Sequence, residues 1–130
     1  MFSFMLPILY VDDIERSLAL YRDHFQMRET YRFPREGVPE HVEVRLGDVT
    51  LGISSAEGLR SHHLPPATRG TPFELAFGCD DADAALADLL AAGCSQLIEP
   101  FDSPAGRRIA YVTDFDGNRI SVSSPLRPAS

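Results

Sequence analysis

The sequence predicts an α+β fold: two β-α-β-β-β modules forming a mixed sheet that curls around a cavity, with helices outside. Three observations carry this. An apolar run, an acid pair and a helical pattern occur together twice. Strand-like segments follow each copy. Turn signals sit at matching points late in each copy.

The first copy is FMLPILYVDDIERSLALYRDHF, residues 4–25, and the second is PFELAFGCDDADAALADLLAAG, residues 72–93. Asp12-Asp13 recur as Asp80-Asp81, 68 residues on. The same offset maps Ile14, Leu18, Tyr21 and Phe25 onto Ala82, Leu86, Leu89 and Gly93. A long repeat present only twice means a duplicated module rather than a solenoid.

Residues 4–11 and 73–79 are short, apolar and partly β-branched or aromatic, and read as buried strands. Asp12 then reads as a helix N-cap, with Glu15 completing a capping box. Residues 14, 18, 21 and 25 share one helical face. Asp80 is the matching cap of a helix over 81–92, and Gly93 suits a left-handed C-terminal position.

After the first helix, Met27–Phe33 reads as a strand ending at Pro34-Arg35-Glu36-Gly37. His41–Leu46 alternates: Val42, Val44 and Leu46 point one way, His41, Glu43 and Arg45 the other. Gly47-Asp48 is a tight turn and Val49–Ser54 the hairpin partner. Ala56–Thr71 is a polar connector that reads as a linker or flap. In the second module, strands are expected near Gln96–Ile98, at Arg108–Thr113 and at Arg119–Ser123, the last two joined by Asp114-Phe115-Asp116-Gly117-Asn118. Asp114 and Asp116 read as a turn device that bonds nearby backbone N–H groups.

At 130 residues the chain is read as one domain over 1–130. It comprises a first module at 4–54, a connector at 55–71, a second module at 72–124 and a tail at 125–130. The net charge of −7 argues against nucleic acid and is compatible with cationic ligands. No apolar run spans a bilayer and no signal-peptide pattern is present, so no membrane partner and a cytoplasmic location are expected. Cys79 and Cys94 lack metal-type spacing and read as free thiols.

If Val42 and Val44 pack under the helix, His41, Glu43 and Arg45 face the cavity, and a pocket holding an imidazole, an acid and a base is a ligand site by default. An exposed edge strand with three solvated side chains is the competing reading. His24 lies on the first helix. His62-His63 read as a solvated loop, and Arg107-Arg108 suit equally an anionic substrate near the cavity mouth or a solvated turn.

The paired modules, the LYVDDIERSLALYRDHF opening and the closing IAYVTDFDGNRISV resemble the vicinal oxygen chelate superfamily over residues 4–124. That group includes glyoxalase I, bleomycin-resistance proteins, fosfomycin-resistance enzymes and extradiol dioxygenases. Asp-Phe-Asp-Gly-Asn is similar to its D-P-D-G-N turn, with Phe115 in place of proline.

The resemblance implies four metal positions, on the first and last strands of each module. Aligned through the shared Val-Asp-Asp and Asp-Gly features, they fall on Leu6, Leu51, Glu74 and Ser121. Only Glu74 offers a donor of the usual type, whereas a divalent ion wants about three or more His or carboxylate ligands. No metal or other cofactor is therefore expected.

The implied function is that of metal-free relatives: binding a small, cationic molecule in the cavity, as a homodimer. The alternative is a metal-dependent or Glu74-based lyase, isomerase or dioxygenase of the same superfamily, and whether the chain is an enzyme stays open. Glu74 is the best catalytic candidate. It is expected to have a partner, either ligand or Arg45 or Arg108, because an unpaired acid on an apolar strand is costly. The ligand-binding set is Glu74, Tyr10, His41, Glu43, Arg45, Tyr111 and Ser121. Tyr31 and Phe33 are further rings available to a ligand. For Tyr10 and Tyr111 capping the core is the more common outcome, and Ser121 reads first as a small lining residue.

Overall fold

The computed structural model describes residues 1–126. The chain divides into two compact units, one from Met1 to Thr68 and one from Arg69 onward. Each holds a four-stranded mixed sheet, curled and not closed. The expected strand count is met, distributed over two sheets.

In the first unit the elements are β1 (Ile8–Val11), α1 (Ile14–Ala19), β2 (Arg28–Phe33), β3 (His41–Leu46), β4 (Val49–Ser55) and α2 (Ala56–Ser61). The sheet order is β1-β4-β3-β2, with β1 parallel to β4 and the other pairs antiparallel. The second unit holds β5 (Glu74–Gly78), α3 (Ala82–Ala91), β6 (Ser95–Asp102), β7 (Arg107–Thr113) and β8 (Arg119–Pro125). Its order is β5-β8-β7-β6, with the same pairing senses.

Each core lies between one sheet face and the helix. Ile14, Leu18, Tyr21 and Phe25 are all buried, as their spacing requires, and pack with Val42, Val44, Leu51 and Ile53. In the second unit Ala82, Leu86 and Leu89 accompany Ala110, Val112, Ile120 and Val122. Burying a Val, Leu or Ile side chain fully is worth about 1.5–3 kcal/mol. Leu46, expected with Val42 and Val44, is instead exposed, because it sits at the hairpin rim beyond the helix.

Both caps fall one residue later than expected. Asp13 and Asp81, not Asp12 and Asp80, accept the N–H groups of Arg16 and Ala84, each at 3.1 Å. The first acid of each pair remains extended chain and the second has the cap geometry.

The two helices also differ by one residue. After α1 the chain makes a π-helical turn over Leu20–His24, closed by the Phe25 N–H on the Leu20 carbonyl at 3.2 Å. The left-handed residue after this helix is Gln26 (φ 61), the counterpart of Gly93 (φ 107). Gly93 therefore matches Gln26 rather than Phe25: the π turn absorbs one extra residue while keeping the apolar face inward.

The connector is not irregular throughout. Ser55 accepts the Gly58 N–H and starts α2, which buries Leu59. β6 runs to Asp102, well past the expected Ile98, with register shifts along the way. β1 is shorter than residues 4–11. Pro125, expected in the tail, still pairs with Arg107, and the Leu126 N–H reaches the Gly106 carbonyl at 3.3 Å. The rest of that expected tail, 127–130, lies outside the described residues. Among the described residues no helix is long and apolar enough to cross a membrane.

Candidate functional site

The face of the first sheet opposite α1 gathers the polar groups. Alternation places His41, Glu43 and Arg45 of β3 there, with Ile8 and Tyr10 of β1, Gly52 and Ser54 of β4, and Tyr31 and Phe33 of β2. Tyr10, Tyr31 and Phe33 are about half exposed, at 46%, 49% and 54%. Rings left this open can take a ligand rather than cap a core.

His41 is the centre of this face. Its Nδ1 lies 2.7 Å from Ser54 Oγ and its Nε2 2.9 Å from Glu43 Oε2. The Tyr31 ring stands 6.1 Å from the imidazole, tilted by 56°. His41 and Ser54 are cross-strand partners, and Glu43 is two residues along the same strand. Arg45 turns away to the rim, donating to the Gly47 carbonyl at 2.8 Å and reaching Asp48 at 3.5 Å.

Gly52 makes room for the imidazole. A Cβ there would lie 2.9 Å from Ile8 Cγ1, 3.1 Å from His41 Cε1 and 3.2 Å from Leu6 Cδ1. Any side chain at 52 would crowd all three.

The corresponding face of the second sheet carries Glu74, Tyr111 and Ser121. Ser121 is buried between Ala76 of β5 and Tyr111 of β7, and Tyr111 stacks on Phe101 with centroids 6.4 Å apart. Glu74 has neither of the expected arginine partners. It is exposed, and no hydrogen bond or ion pair joins it to another described residue. Lying on an edge strand in water, it needs no counter-charge. The expected partners are engaged elsewhere: Arg45 at its own turn, and Arg108 with Asp83 and Asp102 at 3.2 Å each. Asp83, and then Asp102, hold the Arg108 guanidinium above its ordinary pKa. Arg107, read as an anion site or a solvated turn, instead donates to the Ser123 carbonyl and hydroxyl, both at 3.0 Å.

The Asp114 turn has the expected form. Its Oδ1 accepts the Asp116 and Asn118 N–H groups at 3.0 and 2.9 Å, and Oδ2 accepts Asn118 Nδ2. Cys79 and Cys94 are free thiols, and burial pushes the Cys79 thiol pKa up.

One metal-position assignment changes. β1 pairs Ile8 with Gly52, and β5 pairs Ala76 with Ser121; Glu43 and Tyr111 oppose the same two residues. The first-module counterpart of Ser121 is thus Gly52, and Leu51 belongs to the core. The four positions that the resemblance implies become Leu6, Gly52, Glu74 and Ser121. Leu6 and Gly52 carry no donor atom, so this residue set does not fit a metal of the His/carboxylate kind. Among the described residues no group of three or more His, Cys, Asp or Glu side chains could hold an ion.

Sequence reading missed Ser54. The signal was present: with a two-residue turn at 47–48, His41 and Ser54 each stand six residues from it and must face each other.

Three solved structures show the same fold at low identity. A glyoxalase/bleomycin resistance protein/dioxygenase family enzyme from Burkholderia phytofirmans PsJN has a TM-score of 0.78 at 21% identity, covering 92% of this chain and 95% of its own. The fosfomycin resistance protein FosX from Listeria monocytogenes has a TM-score of 0.70 at 16%, covering 97% and 95%. Lactoylglutathione lyase from Agrobacterium tumefaciens has a TM-score of 0.67 at 21%, covering 94% and 92%. No curated protein matches. The family model for the Glyoxalase/Bleomycin resistance protein/Dioxygenase superfamily matches residues 4–122, and with the paired modules and strand orders described above, this chain belongs to that superfamily.

Proposed function

We propose that the chain binds a small cationic molecule without metal chemistry, on the open face of the first sheet. The observation that carries this reading is the juxtaposition of Tyr10, Tyr31 and Phe33 with the Glu43–His41–Ser54 hydrogen-bonded set. Glu43 uses Oε2 on His41, and Oε1 takes no other described partner. A carboxylate beside half-exposed rings suits an ammonium or amidinium on an aromatic or apolar body. The absence of donor atoms at Leu6 and Gly52 supports the metal-free part. Glu74, Tyr111 and Ser121 make the matching face of the second sheet a further contact surface within the same reading.

The homodimer belongs to this proposal. Phe2, Phe4 and Met5 are almost wholly exposed, an apolar segment suited to cover by a second copy. Light scattering at micromolar concentration should give twice the chain mass.

NMR titration with benzamidinium tests the binding reading. Shifts are expected at Tyr10, Tyr31 and the His41 ring, weakened at least about tenfold in affinity by Glu43→Gln. Benzoate should leave these signals unmoved. Equal response to both ions, or none to either, would sink the cation reading. Stoichiometric transition metal in purified protein would sink the metal-free part.

A further inference from the structure

The geometry points to Ser54 as a nucleophilic hydroxyl, activated by His41 and Glu43, that accepts acyl or phosphoryl groups from activated esters.

Proton placement follows from the two hydrogen bonds. An ionised carboxylate only accepts, so with a neutral imidazole the 2.9 Å contact to Glu43 places the ring proton on Nε2. Nδ1 is then a lone pair, and across 2.7 Å Ser54 must be the donor. The hydroxyl proton thus points at a base whose far side is held by an acid. This polarity lets a serine lose its proton as it attacks, with the carboxylate orienting the ring.

Gly52 supplies the second, independent observation. The ring reaches both partners by lying across the β4 backbone where a Cβ would stand 3.1 Å from Cε1. The relay therefore depends on a glycine at that one position.

The second module contains its own control. Ser123 occupies the β8 position that Ser54 occupies on β4, but faces Ile109 in place of His41. Its Oγ accepts from Arg107 Nε and Nη2, at 3.3 and 3.0 Å. Among the described residues no imidazole or carboxylate takes the Ser123 hydroxyl proton. One hydroxyl faces an imidazole nitrogen and the other a guanidinium.

The same sheet limits the chemistry. β4 is a central strand, and its ladders to β1 and β3 occupy the backbone N–H groups that an oxyanion would need. The relay thus suits groups with good leaving atoms rather than amides. With an ester, the Oγ–acyl bond forms and the acyl–alkoxide bond breaks. The Ser54 proton passes to Nδ1 and then to the alkoxide, and water releases the acid in a second step. With a phosphorofluoridate, the Oγ–P bond forms, P–F breaks, and fluoride and the proton leave.

The test is diisopropyl fluorophosphate on the folded full chain, with the adduct mapped by peptide mass spectrometry. Modification is expected at Ser54 and not at Ser123. It should be lost in Ser54→Ala and slowed about 100-fold in His41→Gln. Glu43→Gln should slow it less, since that residue positions the ring. In the wild-type protein the labelling rate should fall as the pH is lowered, a readout that needs no variant to fold. No adduct at Ser54, equal labelling of Ser123, or a rate indifferent to acid would overturn the assignment. Ester reactivity and cation binding are separate measurements, so either can fail alone.

Discussion

His41, Glu43 and Ser54 in the first module stand where Ile109, Tyr111 and Ser123 stand in the second. The backbones follow one plan, with the same strand order and pairing senses. The core face is held nearly constant: Val42, Val44 and Ile53 match Ala110, Val112 and Val122, all buried. The opposite face has diverged in chemistry. In one copy it carries a hydrogen-bonded relay among open rings; in the other a stacked Phe101–Tyr111 pair and a serine held by arginine. Duplicated modules thus keep the face that must exclude water and vary the face that does not.

The sharpest way to break the comparison is at the hairpin turns. Asp114→Ala removes the acceptor of three hydrogen bonds in a buried turn and should cost up to about 3 kcal/mol by urea denaturation. The first module has only Gly47-Asp48 there, and Asp48→Ala should change stability by less than about 0.5 kcal/mol. Similar costs at both turns would mean that the longer turn is not held by its acid.

Next comes the matched pair on the last strands. Gly52→Ala forces a methyl against Ile8, His41 and Leu6 and should cost about 1–3 kcal/mol. Ser121→Ala should be close to neutral on the same scale. A harmless Gly52→Ala would show that the imidazole can move aside.

The helix ends sharpen the picture further. Gly93→Ala places a Cβ at φ 107 and should lower stability by about 1–2 kcal/mol. Gln26→Gly relieves the same demand at φ 61 and should raise it by about 0.5 kcal/mol, read as opposite shifts in thermal midpoint. At the other ends the copies should agree: Asp13→Ala and Asp81→Ala each remove one cap bond and should cost about 1 kcal/mol.

The smallest effect is chemical. Burial raises the Cys79 pKa, so its thiolate forms only at higher pH than in an exposed cysteine. Iodoacetamide should modify it more slowly than a peptide thiol at pH 7, and the gap should narrow as pH rises. Alkylation as fast as the peptide would contradict that burial.

Much of the fold was legible because strand alternation and the apolar helix face are local, periodic signals. The α+β class was read that way, the two modules from the recurring acid pair, and the Gly47-Asp48 turn and Gly93 cap from glycines where the chain must turn. The acid pairs misled by one residue. Either member can cap, and only the course of the chain into the helix selects Asp13 and Asp81. The π turn was hidden because residues 14, 18, 21 and 25 suit a regular helix as well as one carrying an extra residue. β6 was under-read because its irregular register breaks alternation.

Part of the candidate site was legible too. Strand phase put His41 and Glu43 on one face, yet Ser54 was missed despite a turn that sets its partner. The expected arginine partner for Glu74 failed because its strand is an edge, and the position of a strand within a sheet is not written in its own residues. The same holds for Leu51, which gave way to Gly52 once strand pairing supplied the alignment between modules.

By itself the sequence determined the helix face that avoids water in each module, since periodicity and apolar content are properties of the chain. Which polar atoms meet was decided only by tertiary structure. The 2.7 and 2.9 Å contacts of His41 depend on register between strands and on a side chain missing at Gly52. Hydrophobic burial tolerates small displacements, whereas a hydrogen bond fails within a fraction of an ångström.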